Sequence, residues 1–194
     1  MSAAIIPARG GSTRIPRKNI KPFLGIPMLV RAIETAKASK LFNDIYVSTD
    51  DKEIADIAIK HGAVVIARPA KLAKNEVGTQ EVMQHAVTSL NLRAETNVCC
   101  IYPCTPLLAI GDLKAAFQLH LQNDCYAIAV SAAHGRDIGW FYFGYAHQFS
   151  DSEPLWTTGT RVYPVGTHRA IDINTPEDWA RAEDAYRAMH RSAA

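Results

Sequence analysis

The fold is indicated first by residues 3–19, which read AAIIPARGGSTRIPRKN. The apolar run at residues 3–8 predicts a buried strand, and a loop rich in glycine and arginine follows it directly. Gly10 and Gly11 allow the backbone to approach a ligand closely and to present N–H groups, which suits phosphate oxygens. Residues 9–21 include five cations and no acid. The position after the first strand favours a phosphate-binding loop over the alternative, a solvated basic loop.

Predicted strands and amphipathic helices alternate through the first two-thirds of the chain. The strands are expected at residues 3–8, 45–49, 64–67, 98–102 and 126–131, and the helices at residues 27–39, 53–61, 79–90 and 112–122. This alternation implies right-handed crossovers and a mostly parallel sheet with helices on both faces. We therefore predict an α/β, Rossmann-like fold whose ligand lies beyond the carboxyl ends of the strands.

The pattern changes in the last third of the chain. Residues 139–149 contain six aromatic side chains, and such bands more often pack a core or an interface than stack on a base. We expect this one to cover the sheet edge or to meet a second subunit. A short strand is predicted at residues 161–165, and a terminal helix at residues 175–190 has Thr175 as its N-cap. Because the sequence has no repeat or linker, it predicts one domain over residues 1–194.

The composition argues against several classes of protein. The net charge of +2 is too small to indicate binding to nucleic acid or to a membrane surface. No apolar run approaches the roughly 20 residues that span a bilayer. The four cysteines form no zinc-type spacing, and Cys99 and Cys100 would point to opposite faces of a strand, so we expect reduced thiols. The expectation is a cytoplasmic protein with no nucleic-acid or membrane partner, and neither a Walker-type loop nor a dinucleotide fingerprint is present.

The loop sequence IIPARGGSTRIPRKNI, at residues 5–20, resembles the first motif of the CMP-sialic acid synthetase family. The similarity continues in order through VSTD at 47–50, RPAKL at 68–72, YPCTP at 102–106 and DINTPEDW at 172–179. The last two of these motifs are most similar to the pseudaminic acid branch. The resemblance implies a nucleotidyltransferase fold and an enzyme that moves CMP from CTP to a nine-carbon acidic sugar. It also implies release of pyrophosphate and dependence on Mg²⁺.

The same resemblance implies roles for individual residues. Arg9 and Lys18 would hold the triphosphate and, with Asp172, form the catalytic set. The implied nucleotide-binding residues are Ala8, Arg9, Gly10, Gly11, Ser12, Lys18, Asn19, Arg68, Thr79 and Tyr102. The implied partners are CTP, an acidic sugar and a second copy of the chain in a homodimer.

A metal site is predicted at residues 172–174, which read Asp-Ile-Asn. Residues two apart on a strand point the same way, so Asp172 and Asn174 are expected to hold one Mg²⁺ together. The family pattern has a second aspartate at the position of Asn174. The alternative for Asp172 is a turn or capping role, although Thr175 already supplies a cap, and Asn174 is equally typical of a turn.

The stretch at residues 132–138 is shorter than in the family pattern. There a few dozen residues carry sugar contacts and much of the dimer contact. Two alternatives to the sialic-acid-type activity therefore stay open. One is a CTP-dependent nucleotidyltransferase for another sugar, and the other is a degenerate, non-catalytic nucleotide-binding relative.

Overall fold

The elements of the fold alternate as predicted in a computed structural model, which describes residues 1–191. Its strands are β1 (Ser2–Pro7), β2 (Pro22–Phe23), β3 (Ile26–Pro27), β4 (Asp44–Thr49), β5 (Val64–Ala67), β6 (Asn97–Ile101), β7 (Ala127–Ser131), β8 (Asp137–Tyr145) and β9 (Arg161–Val165). The helices are α1 (Met28–Ser39), α2 (Lys52–Lys60), α3 (Thr79–Ser89), α4 (Ile110–Asn123), α5 (Ala146–Ser150) and α6 (Pro176–Arg191), with a 3-10 turn at Ala70–Leu72. Within this part of the chain, no helix is long and apolar enough to cross a membrane.

One sheet carries most of the strands, in the order β5-β4-β1-β6-β8-β7-β9. The first four run parallel, and β7 runs parallel to β9. Strand β8 lies antiparallel between β6 and β7. The predicted α/β, Rossmann-like fold with a mostly parallel sheet is confirmed. The carboxyl ends of β1, β4, β5 and β6 therefore meet at one edge, where the loops that follow them come together.

Side-chain caps fix the starts of two helices. Asp51 accepts a hydrogen bond from the Ile54 N–H at 3.0 Å at the start of α2. At the start of α6, Thr175 Oγ1 accepts from the Asp178 N–H at 3.2 Å, while the Asp178 carboxylate accepts from the Thr175 N–H at 2.9 Å. This reciprocal pair is a capping box and confirms the predicted role of Thr175.

The aromatic band is interior, and the expectation that it covers the sheet edge or meets a second subunit is wrong for its centre. Trp140, Phe141, Tyr142 and Phe143 are each at most 5% exposed. Both neighbours of β8 are hydrogen-bonded to it, so its side chains contribute to the apolar layers on both faces of the sheet. The centre of the aromatic band is therefore part of the hydrophobic core.

Cysteine placement agrees with the sequence. Cys99 packs in one core layer and Cys100 in the other, so the two side chains point to opposite faces as predicted. All four cysteines are free thiols.

Strands β7 and β8 are joined by a closed five-residue turn at residues 132–136. The Ser131 N–H donates to the Arg136 carbonyl at 2.8 Å, and the Gly135 N–H donates to the Ser131 carbonyl at 2.8 Å. Gly135 has a φ of +62°, which favours glycine. The short connection is thus a well-formed hairpin end.

Candidate active site

A polar cavity of about 250 Å³ opens at the carboxyl edge of the parallel strands. The predicted residues that line it are Arg9, Ser12, Lys18, Asn19, Arg68, Tyr102 and Asn174. They come from the loops after β1, β5 and β6 and from the segment before α6. A roomier groove of about 400 Å³ lies between α1 and α6, but it is lined mainly by apolar side chains and includes none of the predicted site residues.

The loop after β1 is held down by Arg17. Its guanidinium forms two hydrogen bonds to the Asp51 carboxylate, at 2.5 and 2.9 Å, and one to Glu53 at 2.6 Å. This contact holds the pKa of Asp51 below its usual range, despite some opposing desolvation. Arg17 is therefore engaged by α2, which leaves fewer of the loop's five cations for a phosphate than the sequence indicated.

Gly10 packs closely against Asp50 and Asp51 at the start of α2, whereas Gly11 has open space around it. The Gly10 N–H donates to Asp50 Oδ1 at 3.1 Å, and a Cβ at Gly10 would lie 2.6 Å from Asp51 Oδ2. Ala8 is buried, and its N–H donates to the Ser48 carbonyl at 2.9 Å. Neither these two residues nor Gly11 lines the cavity. Their part in nucleotide binding stays a prediction.

Three residues of the same loop reach across the cavity wall. Arg9 Nη1 donates to the Ala73 carbonyl at 3.1 Å, and Lys18 Nζ donates to the Ile173 carbonyl at 2.7 Å. The Asn19 amide donates to the Arg9 carbonyl at 2.9 Å. The hydrogen bonds to the Ala73 and Ile173 carbonyls keep Arg9 and Lys18 at the cavity, where phosphate oxygens can replace those carbonyls as acceptors.

The floor of the cavity is formed by Arg68 and Tyr102. Arg68 is buried and donates to Ser48 Oγ at 3.1 Å and to the Ser48 carbonyl at 2.7 Å. Burial lowers the pKa of Arg68, and the charge of Asp50 opposes that shift. Tyr102 Oη is 2.7 Å from Thr79 Oγ1, which places Thr79 behind the tyrosine and not in the cavity lining. Burial also raises the pKa of Tyr102, so the phenol stays protonated.

The segment that carries Asp172 is not a strand, contrary to the expectation. Residues 170–174 form no ladder with a neighbouring strand. Ile171 and Ile173 are nevertheless buried, while Asp172 is exposed and Asn174 half-buried, so the alternation that puts Asp172 and Asn174 on one side survives. The extended shape is held by side chains from elsewhere in the fold in place of a sheet.

Asp172 does not line the cavity, but its carboxylate lies close enough to Lys18 and Arg14 to interact with their charges. Although the residue is exposed overall, the surrounding protein desolvates its carboxylate and thereby raises its pKa. Hydrogen bonding with Asn174 and the positive charge of Lys18 act in the opposite direction and lower that pKa. Asn174 Oδ1 accepts a hydrogen bond from Arg14 Nη2 at 2.9 Å. The predicted metal segment and the phosphate loop are thus in direct contact.

A family model described as cytidylyltransferase matches residues 3–145 of this sequence. The chain belongs to the cytidylyltransferase family. It is 31% identical to pseudaminic acid cytidylyltransferase from Campylobacter jejuni, over 97% of each chain. It is 27% identical to CMP-N,N'-diacetyllegionaminic acid synthase from Legionella pneumophila, over 93% of this chain and 94% of the relative. A nucleotidyl transferase from Methanothermobacter shares the fold, with a TM-score of 0.75 and 15% identity over 97% of this chain and 99% of its own.

The Campylobacter relative carries residues that this member of the family lacks. The alignment between them runs over 228 positions, more than the 194 residues of this sequence. The tight turn at residues 132–136 is the place where the family resemblance predicted a shorter connection, and main-chain hydrogen bonds close it next to an irregularity in the β7–β8 register between Ile128 and Val130.

The donor groups of the candidate site can bind Mg²⁺ only if phosphates of the nucleotide supply further ligands to the ion. Asp172 offers one carboxylate, and Asn174 offers an amide oxygen that Arg14 now occupies. Across residues 1–191 no cluster of three or more histidine, cysteine, aspartate or glutamate side chains is formed. Mg²⁺ is commonly bound by one or two carboxylates, with substrate phosphates and water completing six ligands. This cytidylyltransferase offers such a partial set.

Sequence reasoning missed several residues at this site. Lys74 and Asn75 line the cavity from the loop before α3, and Arg14 lines it beside Asn174. Ser48 anchors Arg68 from below. Arg14 was visible as one of the loop's cations, but the two loop residues belong to no periodic pattern or motif, and only the folded chain brings them to the cavity.

Proposed function

We propose that the chain transfers CMP from CTP to a nine-carbon acidic sugar of the pseudaminic or sialic acid type and releases pyrophosphate. The observation that supports this most strongly is the 31% identity to pseudaminic acid cytidylyltransferase over 97% of both chains. The cavity supports it as well, because Arg9, Lys18 and Arg68 gather positive charge at the carboxyl edge of the sheet. A triphosphate is the ligand that such a cluster of cations suits.

In the proposed reaction, a hydroxyl oxygen of the sugar forms a bond to the α-phosphorus of CTP. The bond from that phosphorus to the bridging oxygen breaks, pyrophosphate leaves with the electron pair, and the hydroxyl proton passes to solvent. Lys18 and Arg9 hold the β- and γ-phosphates and offset the charge that accumulates on the leaving group. When Mg²⁺ is bound it supplies further neutralisation of phosphate charge, and Asp172 and Asn174 are the residues that would hold it.

Pyrophosphate release is the direct test of this function. The protein is supplied with CTP, Mg²⁺ and, in separate reactions, pseudaminic, legionaminic and N-acetylneuraminic acids. We expect release with at least one of them and none without a sugar. Release only with 3-deoxy-manno-octulosonate or glycerol phosphate would replace the nine-carbon acceptor by another. No release with any acceptor, together with tight CTP binding, would favour the non-catalytic relative.

Nucleotide selectivity gives an independent prediction. CTP present at about 100 times its dissociation constant is expected to stabilise the fold by about 2.7 kcal/mol. For a chain of this length that corresponds to a rise of roughly 5–10 °C in Tm. ATP and GTP at the same concentration are expected to give much smaller shifts in a thermal-melting assay. Equal shifts with all three nucleotides would contradict a cytidine-selective cavity.

The non-catalytic alternative is favoured by Asn174, which stands where the family has an aspartate, and it can be tested at that residue. Under the proposed function, Asn174→Asp adds a carboxylate beside Asp172 and is expected to lower the Mg²⁺ concentration for half-maximal rate by about tenfold, or 1.4 kcal/mol. Asn75→Asp is the matched control, since it adds the same charge to the same cavity from the loop before α3. Equal effects of the two changes would show that residue 174 does not hold the ion. Tighter metal binding without turnover would support the non-catalytic relative.

Location and assembly are further proposals. A CTP-dependent activity and four free thiols are consistent with the reducing cytoplasm. The homodimer implied by the family resemblance is tested by light scattering of the purified protein, where a mass near twice 21.3 kDa is expected.

A further inference from the structure

The segment between β9 and α6 holds Asp172 without the support of a sheet. It begins with a turn, in which the Arg169 and Ala170 N–H groups both donate to the Gly166 carbonyl, at 2.9 and 3.0 Å. The Ile171 N–H then donates to the Arg169 carbonyl at 2.7 Å, and residues 170–174 have no neighbouring strand. A carboxylate on such a segment is oriented only by the side chains that fasten the segment to the rest of the fold.

Arg169 is the strongest of these fastenings. Its guanidinium binds the Asp112 carboxylate through two hydrogen bonds, at 2.6 and 2.9 Å, and also donates to the Leu107 carbonyl at 3.3 Å. Both partners are shielded, with side chains 18% and 4% exposed. Two parallel N–H···O bonds restrict orientation as well as distance, because the planar fork of arginine matches a carboxylate.

Asp112 is itself fixed from three sides. Its carboxylate accepts from Tyr163 Oη at 2.9 Å and from the Ala109 N–H at 2.8 Å, in addition to Arg169. These bonds hold the pKa of Asp112 below its ordinary value in spite of the opposing desolvation. The group to which Arg169 is attached is therefore a rigid, ionised anchor at the start of α4.

Two weaker contacts continue the support toward Asp172. Trp140 Nε1 donates to the Ile171 carbonyl at 3.3 Å, and the Arg169 guanidinium lies 6.0 Å from the Trp140 ring centroid. On the other side of Asp172, Lys18 Nζ donates to the Ile173 carbonyl at 2.7 Å. The backbone on both sides of Asp172 is thus tied down, one side through the Arg169 anchor and the other through the phosphate loop.

We infer that Arg169 is a positioning residue: through Asp112 it holds the 170–174 segment so that Asp172 stays beside Lys18 and Arg14, which line the nucleotide cavity. Arg169 itself does not line that cavity. The inference rests on the proposed function for its metal, because Asp172 is the residue proposed to hold Mg²⁺. A functional carboxylate must be held to within about 0.5 Å of its productive position, and this depends on such supporting bonds.

The test measures metal binding directly, with Mn²⁺ as the spectroscopic substitute for Mg²⁺ in the presence of saturating CTP. Binding is followed by electron paramagnetic resonance, and CTP binding without any divalent ion is followed by calorimetry. Arg169→Met is expected to raise the Mn²⁺ dissociation constant by about tenfold, the lower end of the effect of supporting residues at metal sites. CTP binding without metal is expected to stay within about twofold, because the cavity cations are untouched.

Two further variants separate positioning from loss of stability. The first is the double variant Arg169→Met with Asp112→Asn, which leaves no unpaired buried carboxylate. We expect it to regain much of the stability that Arg169→Met alone loses, and to bind Mn²⁺ as weakly as Arg169→Met does. Arg31→Met is the matched control. Arg31 is also half-buried and makes three hydrogen bonds, two to the Phe23 carbonyl in β2 and one to Tyr186 in α6, and none to the Asp172 segment. It is expected to lower Tm and to leave Mn²⁺ binding unchanged.

Kinetics and a conservative variant complete the test. Arg169→Met is expected to lower kcat at fixed Mg²⁺ with little change in KM for CTP, and Arg169→Lys, which keeps the charge without the fork, to retain part of the rate. The same loss of Mn²⁺ binding in Arg31→Met, or an equal loss of metal-free CTP binding, would overturn the inference. So would equal Mn²⁺ binding by the wild type and Asp172→Ala. Weakened Mn²⁺ binding in a protein that releases no pyrophosphate would instead uphold the inference and refute the proposed function.

Discussion

Asp172→Ala is expected to lower the rate of CTP-dependent pyrophosphate release by about 10³-fold at saturating CTP and Mg²⁺. The change removes the carboxylate proposed to hold the ion, and loss of several kcal/mol of phosphate-charge stabilisation corresponds to about this factor. The fold is expected to persist, because the Asp172 side chain is exposed and the flanking Ile171 and Ile173 carry the packing. Steady-state kinetics and a thermal melt of the same sample provide the measurement.

Asp56→Ala is the control for Asp172→Ala. It removes one negative charge from an exposed position on α2, away from the cavity lining. Its rate is expected to stay near that of the wild type. A near-normal rate for Asp172→Ala would refute the assignment of the metal to this segment.

Lys18→Met is expected to reduce kcat/KM for CTP by about 10²–10³-fold, the range for removal of one preorganised charge-stabilising donor. The ammonium lines the cavity and contacts the Ile173 carbonyl, so its loss removes a cation from the triphosphate and a tie from the Asp172 segment. Methionine keeps the aliphatic stem, which limits the loss of packing. The rate is measured over a range of CTP concentrations, so that kcat and KM are separated.

Lys21→Met provides the matched control for this loss. Lys21 belongs to the same loop, but its ammonium lies 4.6 Å from the Trp179 ring centroid and does not line the cavity. A similar reduction in both variants would mean that the loop acts through its total charge, and Lys18 would then lose its special role.

The parallel part of the fold was predictable because its signals are local. Strand β5 at Val64–Ala67 and strand β9 at Arg161–Val165 have the bounds expected from their apolar and turn residues. The cap residues Asp51 and Thr175 likewise act within one helical turn of their own position. Pairing across the sheet is different. The four consecutive aromatics at residues 140–143 of β8 show no alternation, and their burial follows from hydrogen bonding of the strand to β6 on one side and β7 on the other.

The candidate site was likewise predictable only where its signals are local in sequence. The cations of the phosphate loop were recognisable because they are adjacent in sequence and follow a strand. The contacts of the predicted metal segment were not, since Arg14 meets Asn174 from 160 positions away and Arg169 meets Asp112 from 57 positions away. The prediction that Asp172 and Asn174 share one side assumes a strand, but burial of Ile171 and Ile173 gives the same alternation without a ladder.

The hairpin turn at residues 132–136 is a position where a longer segment from a related protein could replace the short connection. Its main-chain bonds close β7 and β8 independently of the turn's own side chains, and β7 is also paired with β9. The main free-energy cost of a longer segment inserted there would be loop-closure entropy, which rises by only about 0.6 kcal/mol for each doubling of loop length. A relative's longer segment can therefore be accommodated at this turn without altering the nucleotide cavity, which no residue of the turn lines. Under the proposed function, a chimera that takes this segment from a relative is expected to keep its CTP binding, and its choice of sugar shows whether the segment contributes to acceptor recognition.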